Sequence, residues 1–199
     1  MFYLFGVDHD GAQAYGGHRQ PGHVRLLGAL TDNLPYAAPT VVAEEMNEET
    51  LKGRTSVPRE FALAHGFRPE FCEPDTSWRF ANQCYPAPDI QRLYLGFRNE
   101  PYIVNNLGLA AEALDVAINY PKREAYWLEK LTPFRQCEVY FVLGYDHVDS
   151  FAKVLDKNLI SRTVVESDIG VTPETKEYRR RVREFLQAHP ELAESVKID

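Results

Sequence analysis

Short apolar runs alternate along the chain with segments whose apolar residues recur every three or four positions. Unbroken apolar runs indicate buried strands, and the wider spacing indicates amphipathic helices. The pattern predicts strands over 2–6, 39–46, 138–143 and 160–166, with a further candidate over 67–75. It predicts helices over 24–34, 47–52, 57–65, 105–118, 122–131, 148–156 and 173–189. Because strands alternate with helices and are apolar throughout, we expect an α/β fold with a largely parallel central sheet flanked by helices.

Residues that favour caps and turns mark several of these boundaries. Pro35 follows the first predicted helix and should stop it. Ser56 is a suitable N-cap for the helix over 57–65, and Gly66 suits its carboxyl end. Pro121 fits the first turn of the helix over 122–131.

The length and composition suit one folded body. The chain has 199 residues, of which 44% are hydrophobic and 12% aromatic, enough to bury a sizeable core. We therefore expect a single domain over residues 1–199. Residues 76–104 are rich in Pro, aromatic residues and Arg without a sustained period, and we interpret them as an excursion or lid over the body.

Charge and cysteine usage exclude some classes of protein. A net charge of −7 argues against binding to nucleic acid or to an anionic membrane surface. No stretch approaches the roughly 18 uninterrupted apolar residues of a membrane span, and the amino-terminal apolar run is too short for a signal peptide. The three cysteines are odd in number and lack C-x-x-C spacing, which favours reduced thiols and a cytoplasmic location. The sequence does not indicate an oligomeric state.

Two predicted strands end in the same motif. Gly-x-Asp-His stands at 6–9 and again at 144–147. A glycine relieves crowding where a strand turns into a loop. Since ligands of open α/β sheets gather beyond the carboxyl ends of the strands, we expect His9 and His147 to face one site.

A pair of glutamates ends the strand over 39–46. Glu44 and Glu45 should point to opposite sides if the strand runs through both, which leaves at most one for a site at the strand ends. A purely structural interpretation is also open, because both acids precede a helix and would interact favourably with its dipole.

Two imidazoles with a carboxylate are a common ligand set for a divalent metal, here Mn, Co or Zn, with His9, His147 and Glu45 as the ligands. A His–Glu pair can equally transfer protons without a metal. Asp8 and Asp146 would orient the imidazoles if their side chains turn back toward them.

The segment 121–165 resembles the carboxyl-terminal half of the TraB/Tiki family, which shares a superfamily with ChaN and the erythromycin esterases. In that family an Arg and a following aromatic residue lie on a helix before a strand that ends in Gly-x-x-His. Arg123, Trp127, Gly144 and His147 take those places. The motif at 6–9 resembles the first Gly-x-x-His of the family, and the strand with Glu44 and Glu45 resembles its glutamate-bearing strand.

The resemblance implies a metal-dependent hydrolase, peptidase-like or esterase-like, acting on a small-molecule or peptide substrate. The two histidines and one of the two glutamates would form the catalytic centre, and Arg123 would steady an anionic transition state. The sequence departs from the family at Glu124, where a polar amide is usual, and at the Asp before each His. It is also shorter than most members.

Two other functions stay open. On the same scaffold the chain would be a non-catalytic binding protein for a small molecule or a haem-type ligand, with Tyr85, Tyr94 or Phe97 as contact surfaces. In the other interpretation the histidines are structural and the chain is a partner-binding subunit.

Overall fold

The structure is a computed structural model that describes residues 1–34, 40–96 and 98–194. Its strands, in chain order, are β1 (Phe2–Val7), β2 (Ala14–Tyr15), β3 (Thr40–Glu44), β4 (Thr55–Ser56), β5 (Arg68–Phe71), β6 (Glu138–Gly144) and β7 (Arg162–Ile169). Its α-helices are α1 (Pro21–Asp32), α2 (Glu48–Leu51), α3 (Val57–Ala64), α4 (Thr76–Ala81), α5 (Ala87–Ile90), α6 (Pro101–Asn105), α7 (Leu107–Leu114), α8 (Tyr120–Leu131), α9 (Val148–Lys157), α10 (Pro173–Ala188) and α11 (Glu191–Glu194). The predicted stop at Pro35 lies outside the described residues.

The described residues divide into two compact units. Unit 1 comprises Met1–Asp75 and Glu124–Val171, and unit 2 comprises Thr76–Arg123 and the chain from Thr172 onward. The single domain and the lid over 76–104 stay predictions. The described part of the chain contains no helix that is both long and apolar enough to cross a membrane.

Unit 1 is built on a five-stranded parallel sheet with the order β5-β3-β6-β1-β7. The predicted α/β class with a parallel sheet flanked by helices is confirmed. β2 and β4 form a separate antiparallel pair beside the loop that follows β1. The three strands that carry the predicted site residues, β3, β6 and β1, are neighbours in the sheet.

Both faces of the sheet are covered, which explains why the strands are apolar at successive positions. Alternate residues of β1, β3 and β6 pack on one side against Trp127 of α8 and Phe151 of α9. The intervening residues pack on the other side against Leu26 of α1 and Phe61 of α3. Each such side chain contributes roughly 1.5–3 kcal/mol when fully buried, so the sheet core holds unit 1 together.

Helix ends in unit 1 follow the predicted caps. The Ser56 hydroxyl accepts from the Arg59 backbone N–H, and α3 begins at the next residue after Ser56. Gly66 has a φ of +68° just beyond α3, a conformation that glycine adopts without the steric cost of a side chain.

Unit 2 is helical, and its core is formed by apolar residues of α5, α6, α7 and α11, among them Ile90, Ile103, Leu114 and Leu192. The segment 76–104, which shows no sustained period, forms short helices because prolines repeatedly begin new ones, as at Pro88 and Pro101.

The predicted helices over 105–118 and 122–131 are connected by a helical turn and not by a loop. A π-helical turn over Asp115–Asn119 links α7 to α8, and the Tyr120 N–H donates to the Asp115 carbonyl five residues back. Pro121 has no N–H to donate, so this wider turn lets the chain stay helical up to the proline.

Candidate functional site

Three side chains meet where β1, β3 and β6 end. His9 opens a π-helical turn over His9–Gln13 just after β1, Glu45 directly follows β3, and His147 closes a 3₁₀ turn after β6. The strands are parallel neighbours, so their carboxyl ends share one edge of the sheet. The structure thus brings together the two histidines predicted to share a site.

Both histidine rings approach one carboxylate oxygen of Glu45. Its Oε1 lies 3.4 Å from His9 Nε2 and 3.8 Å from His147 Nε2. The other oxygen accepts from the Gly144 backbone N–H at 2.6 Å. Glu45 and His147 are nearly fully buried, whereas the His9 side chain is 39% exposed, so solvent reaches the cluster at His9.

Gly144 is required by close approach. A Cβ on this residue would lie 2.9 Å from His9 Nε2 and 3.3 Å from Glu45 Oε2. Gly6 serves a different purpose, because a Cβ there would clash with the Ser167 carbonyl oxygen of β7. The two motifs look alike in sequence, yet only the second glycine makes room for the cluster itself.

His147 is held from behind by a carboxylate. Its Nδ1 donates to Glu124 Oε1 at 2.9 Å, and the Ser150 hydroxyl donates to the same oxygen. The ring also packs edge-on against Trp127, with ring centroids 4.8 Å apart. These contacts fix the orientation of the imidazole and aim Nε2 at Glu45.

His9 is held by an amide instead. Its Nδ1 lies 2.6 Å from Gln13 Oε1, and Gln13 Nε2 donates to Glu44 Oε2 at 2.9 Å. The Ser56 hydroxyl donates to the other oxygen of Glu44 at 2.7 Å. Because the carboxylate of Glu44 takes the amide N–H, the amide oxygen of Gln13 faces His9.

These partners determine the tautomer of each ring. A carboxylate or amide oxygen only accepts, so Nδ1 carries the proton in both His9 and His147. In the neutral form of each ring, the Nε2 lone pair faces Glu45 Oε1, which is itself an acceptor. A proton or a metal cation placed among these three atoms would interact favourably with all of them.

Three buried acids lie around the two imidazoles. Glu44, Glu45 and Glu124 have residue exposures of 2%, 4% and 3%, which concentrates carboxylates around the two imidazoles. Burial raises the pKa of the Glu44 carboxyl above its ordinary value, while hydrogen bonds from Ser56 and Gln13 act in the opposite direction.

The donors can be compared with the needs of a metal ion. Two ligands bound about 2.1 Å from one ion at a tetrahedral angle lie about 3.4 Å apart. The His9–Glu45 distance equals this spacing, and the His147–Glu45 distance exceeds it by about 0.4 Å. Within 1–34, 40–96 and 98–194 no group of three His, Cys, Asp or Glu side chains is already arranged as a metal site. The donor types fit the predicted metal, and binding would draw the three side chains closer together.

The predicted aspartates lie beside the cluster. Asp8 accepts from the Gly11 N–H at 2.7 Å and begins the turn that carries His9. Asp146 lies half-buried in the turn that ends at His147. The Nδ1 partners are Gln13 and Glu124, so the orienting role of Asp8 and Asp146 stays a prediction.

Other predicted residues belong to unit 2. Arg123 is half-buried on α8, and its role toward an anionic transition state stays a prediction. Tyr85 and Tyr94 pack against the helical core of that unit. Phe97 lies outside the described residues.

Sequence reasoning missed Gln13, Ser150 and the role of Glu124. Gln13 stands four residues after His9, a spacing at which side chains on one helical turn meet, and this was the available signal. Glu124 was marked by its departure from the family pattern. Ser150 carried no signal, because a serine in the first turn of a helix is common.

Comparisons with protein-family models, curated proteins and solved structures yield no match to this chain. Its class is therefore defined by its own fold and site. It is an α/β protein with a parallel sheet that carries a two-histidine, one-carboxylate cluster at the carboxyl ends of adjacent strands. The resemblance to the TraB/Tiki family stays a prediction.

Proposed function

We propose that the chain is a metal-dependent hydrolase of small-molecule or peptide substrates, with His9, His147 and Glu45 as ligands of a divalent ion. The observation that carries the proposal is the convergence of both Nε2 atoms on Glu45 Oε1, with each Nδ1 tied to an acceptor. Metal-binding histidines are commonly held in this way.

The surroundings favour a cation over an apolar or anionic ligand. A buried carboxylate is costly unless an opposite charge or several donors offset its lost hydration. Glu45 receives the Gly144 N–H on one oxygen and faces the imidazoles with the other. A divalent ion between Glu45 and the imidazoles would interact favourably with this carboxylate.

The geometry also indicates where a substrate would approach. His9 is the exposed member of the cluster, whereas His147 and Glu45 are buried, so the scissile bond would enter from the side of His9. When bound, the ion would act as a Lewis acid toward the reacting carbonyl. The buried packing of His147 and Glu45 would hold these two ligands in place and keep water from that side.

Thermal unfolding with and without metal tests the proposal. Mn²⁺, Co²⁺ or Zn²⁺ at about 100 times its Kd should stabilise the wild type by about 2.7 kcal/mol, which raises Tm by roughly 5–10 °C. Glu45→Gln should abolish this shift. His65→Gln is the control, because His65 bonds to the Phe61 carbonyl on α3, outside the cluster, and should leave the shift unchanged.

Hydrolysis is measured in parallel with ester and peptide substrates. We expect turnover by the metal-loaded wild type and none by Glu45→Gln. No shift with any of the three ions would overturn the proposal. A shift without turnover of any substrate would overturn the enzymatic part and support the non-catalytic binding protein.

A further inference from the structure

The two histidines of the cluster have different partners. Glu124, which accepts from His147 Nδ1, is a carboxylate, whereas Gln13, which accepts from His9 Nδ1, is a neutral amide. A carboxylate behind an imidazole raises the electron density at Nε2 and makes it a stronger ligand. An amide fixes the ring without this gain.

The two histidine side chains also differ in solvent exposure. The His147 side chain is 4% exposed and packs against Trp127, whereas the His9 side chain is 39% exposed on its turn. With a metal bound, water and substrate would compete for coordination at His9 more readily than at His147.

From these two contrasts we infer that the ligands are unequal: His147, backed by Glu124, is the permanent ligand, and His9, backed by Gln13, is the exchangeable ligand that yields to substrate. Glu124 and Gln13 are then the positioning residues that set this difference. The inference rests on the proposed metal site and adds which ligand gives way.

The hydrogen-bond partners of Gln13 favour an uncharged side chain at position 13. Gln13 is fully buried, and its amide N–H contacts Glu44, which also accepts from Ser56. A glutamate at position 13 would place two buried carboxylates in direct contact. The presence of Glu44 therefore favours a neutral side chain as the partner of His9.

This network allows a charge exchange that keeps shape and net charge. In the double variant Gln13→Glu with Glu44→Gln, the new carboxylate still accepts from His9, and the new amide still donates to it while accepting from Ser56. His9 would gain the kind of partner that His147 has. We expect Co²⁺ to bind the double variant up to about tenfold more tightly than it binds the wild type.

The opposite change is made at Glu124. Glu124→Gln keeps an acceptor for His147 but removes the charge, and we expect about tenfold weaker Co²⁺ binding. Glu124→Leu removes the acceptor as well, and we expect about 100-fold weaker binding. Glu112→Gln, whose carboxylate bonds to Arg179 in unit 2, is the matched control and should bind as the wild type does.

The experiment titrates Co²⁺ into each full-length protein and follows the visible absorption of the ion, with circular dichroism to verify folding. His147→Ala should weaken binding by a larger factor than His9→Ala, and the Co²⁺ spectrum of His9→Ala should respond to acetate at lower concentrations than that of the wild type, because no imidazole must be displaced. If Gln13 and Glu124 have only a structural role, their variants should change Tm but not the order of Co²⁺ affinities or the Co²⁺ spectra.

The outcomes separate this inference from the proposed function. If the wild type binds no Co²⁺, both are overturned. If it binds Co²⁺ but His9→Ala costs as much as His147→Ala, only the inequality is overturned. The same holds if the charge exchange and Glu124→Gln leave affinity unchanged. Should Glu124→Leu fail to fold, Glu124→Gln and the double variant decide the matter.

Discussion

At the scale of single residues, identical motifs serve different physical purposes. Gly6 admits a carbonyl of the neighbouring strand β7, whereas Gly144 admits the His9 ring and donates its N–H to Glu45. The histidines that follow them differ as well, because His147 is buried against a carboxylate and His9 is partly exposed beside an amide. The repeated motif therefore predicts that the two histidines lie close together, but it does not show that their surroundings differ.

Gly144→Ala should damage the cluster directly. The added methyl group would lie 2.9 Å from His9 Nε2 and 3.3 Å from Glu45 Oε2, so the contact between these two side chains must change. We expect a loss of about 1–3 kcal/mol in the free energy of unfolding, together with loss of the metal-dependent rise in Tm. Urea unfolding and thermal scans with Co²⁺ measure the two effects.

Gly28→Ala is the control for that substitution. A Cβ on Gly28, within α1, meets no atom within 4 Å, so the change should stabilise the protein by about 0.5–1 kcal/mol and keep the metal response. A Gly144→Ala protein that still responds to metal like the wild type would contradict the close approach described above.

Cys72 should make stability fall at alkaline pH. Burial raises the pKa of its thiol above the ordinary value of 9.0, so the folded state favours the neutral form. The stability that the neutral thiol contributes is fully present below pH 9 and is lost as the pH rises above it, by up to about 1.4 kcal/mol per pH unit.

The check is urea unfolding of the wild type and Cys72→Ala at about pH 8 and pH 10. The variant is destabilised at both values by lost packing, but its deficit relative to the wild type should shrink at the higher pH. A deficit that stays constant would show that the Cys72 thiol does not titrate differently in the two states.

At the scale of elements, the ends of strands and the starts of helices build the site together. β3 ends at Glu44, and Glu45 follows it directly. Glu44 contacts Gln13 and Ser56, whereas Glu45 faces the two histidines. Ser56 is also the N-cap of α3, so the first turn of that helix is tied to a buried carboxylate. The sequence correctly predicted Ser56 as a cap. The bond from Ser56 to Glu44 could not be predicted locally, because it forms only when α3 packs beside the end of β3.

Ser56→Ala should therefore cost more than the loss of an ordinary cap. The change removes the cap of α3 and one donor to the buried Glu44, and we expect about 2–3 kcal/mol lower stability. Thr172→Ala, which removes the exposed cap of α10, should cost about 1 kcal/mol. Equal losses in urea unfolding would show that the bond from Ser56 to Glu44 adds nothing.

At the scale of the whole molecule, the two units differ in how their cores are made. Unit 1 has a parallel sheet covered on both faces, and β6 pairs with β1 on one side and with β3 on the other. Unit 2 consists of helices, and Val182 is the buried residue of its long helix α10. We expect this difference to appear in how the backbone opens.

Hydrogen exchange measured by mass spectrometry should show this order. Amides of β6 should exchange last, because opening them disrupts two strand pairs and both sheet faces, whereas amides of α10 should exchange well before them. The amides of β1, which also pair on both sides, serve as the internal reference. Equal protection of α10 and β6 would contradict the expected difference between the cores.

The sequence determined most of the local structure and the place of the site. Apolar runs marked the parallel strands because both faces of the sheet are buried, and Ser56 marked the start of α3 because a hydroxyl satisfies its free N–H groups. The two histidines were placed together because parallel strands end at the same edge. These conclusions depend on the local pattern of apolar and polar residues, which the sequence shows directly.

Only the tertiary structure decided how the histidines are held. Glu124 reaches His147 because α8 packs on the sheet with one particular rotation, and Gln13 joins Glu44 because the loop after β1 folds over the end of β3. The order β3-β6-β1 brings Glu45 within reach of both rings. Such contacts join residues far apart in the chain, and no local pattern records them, since the free energy that selects them arises only when the elements pack.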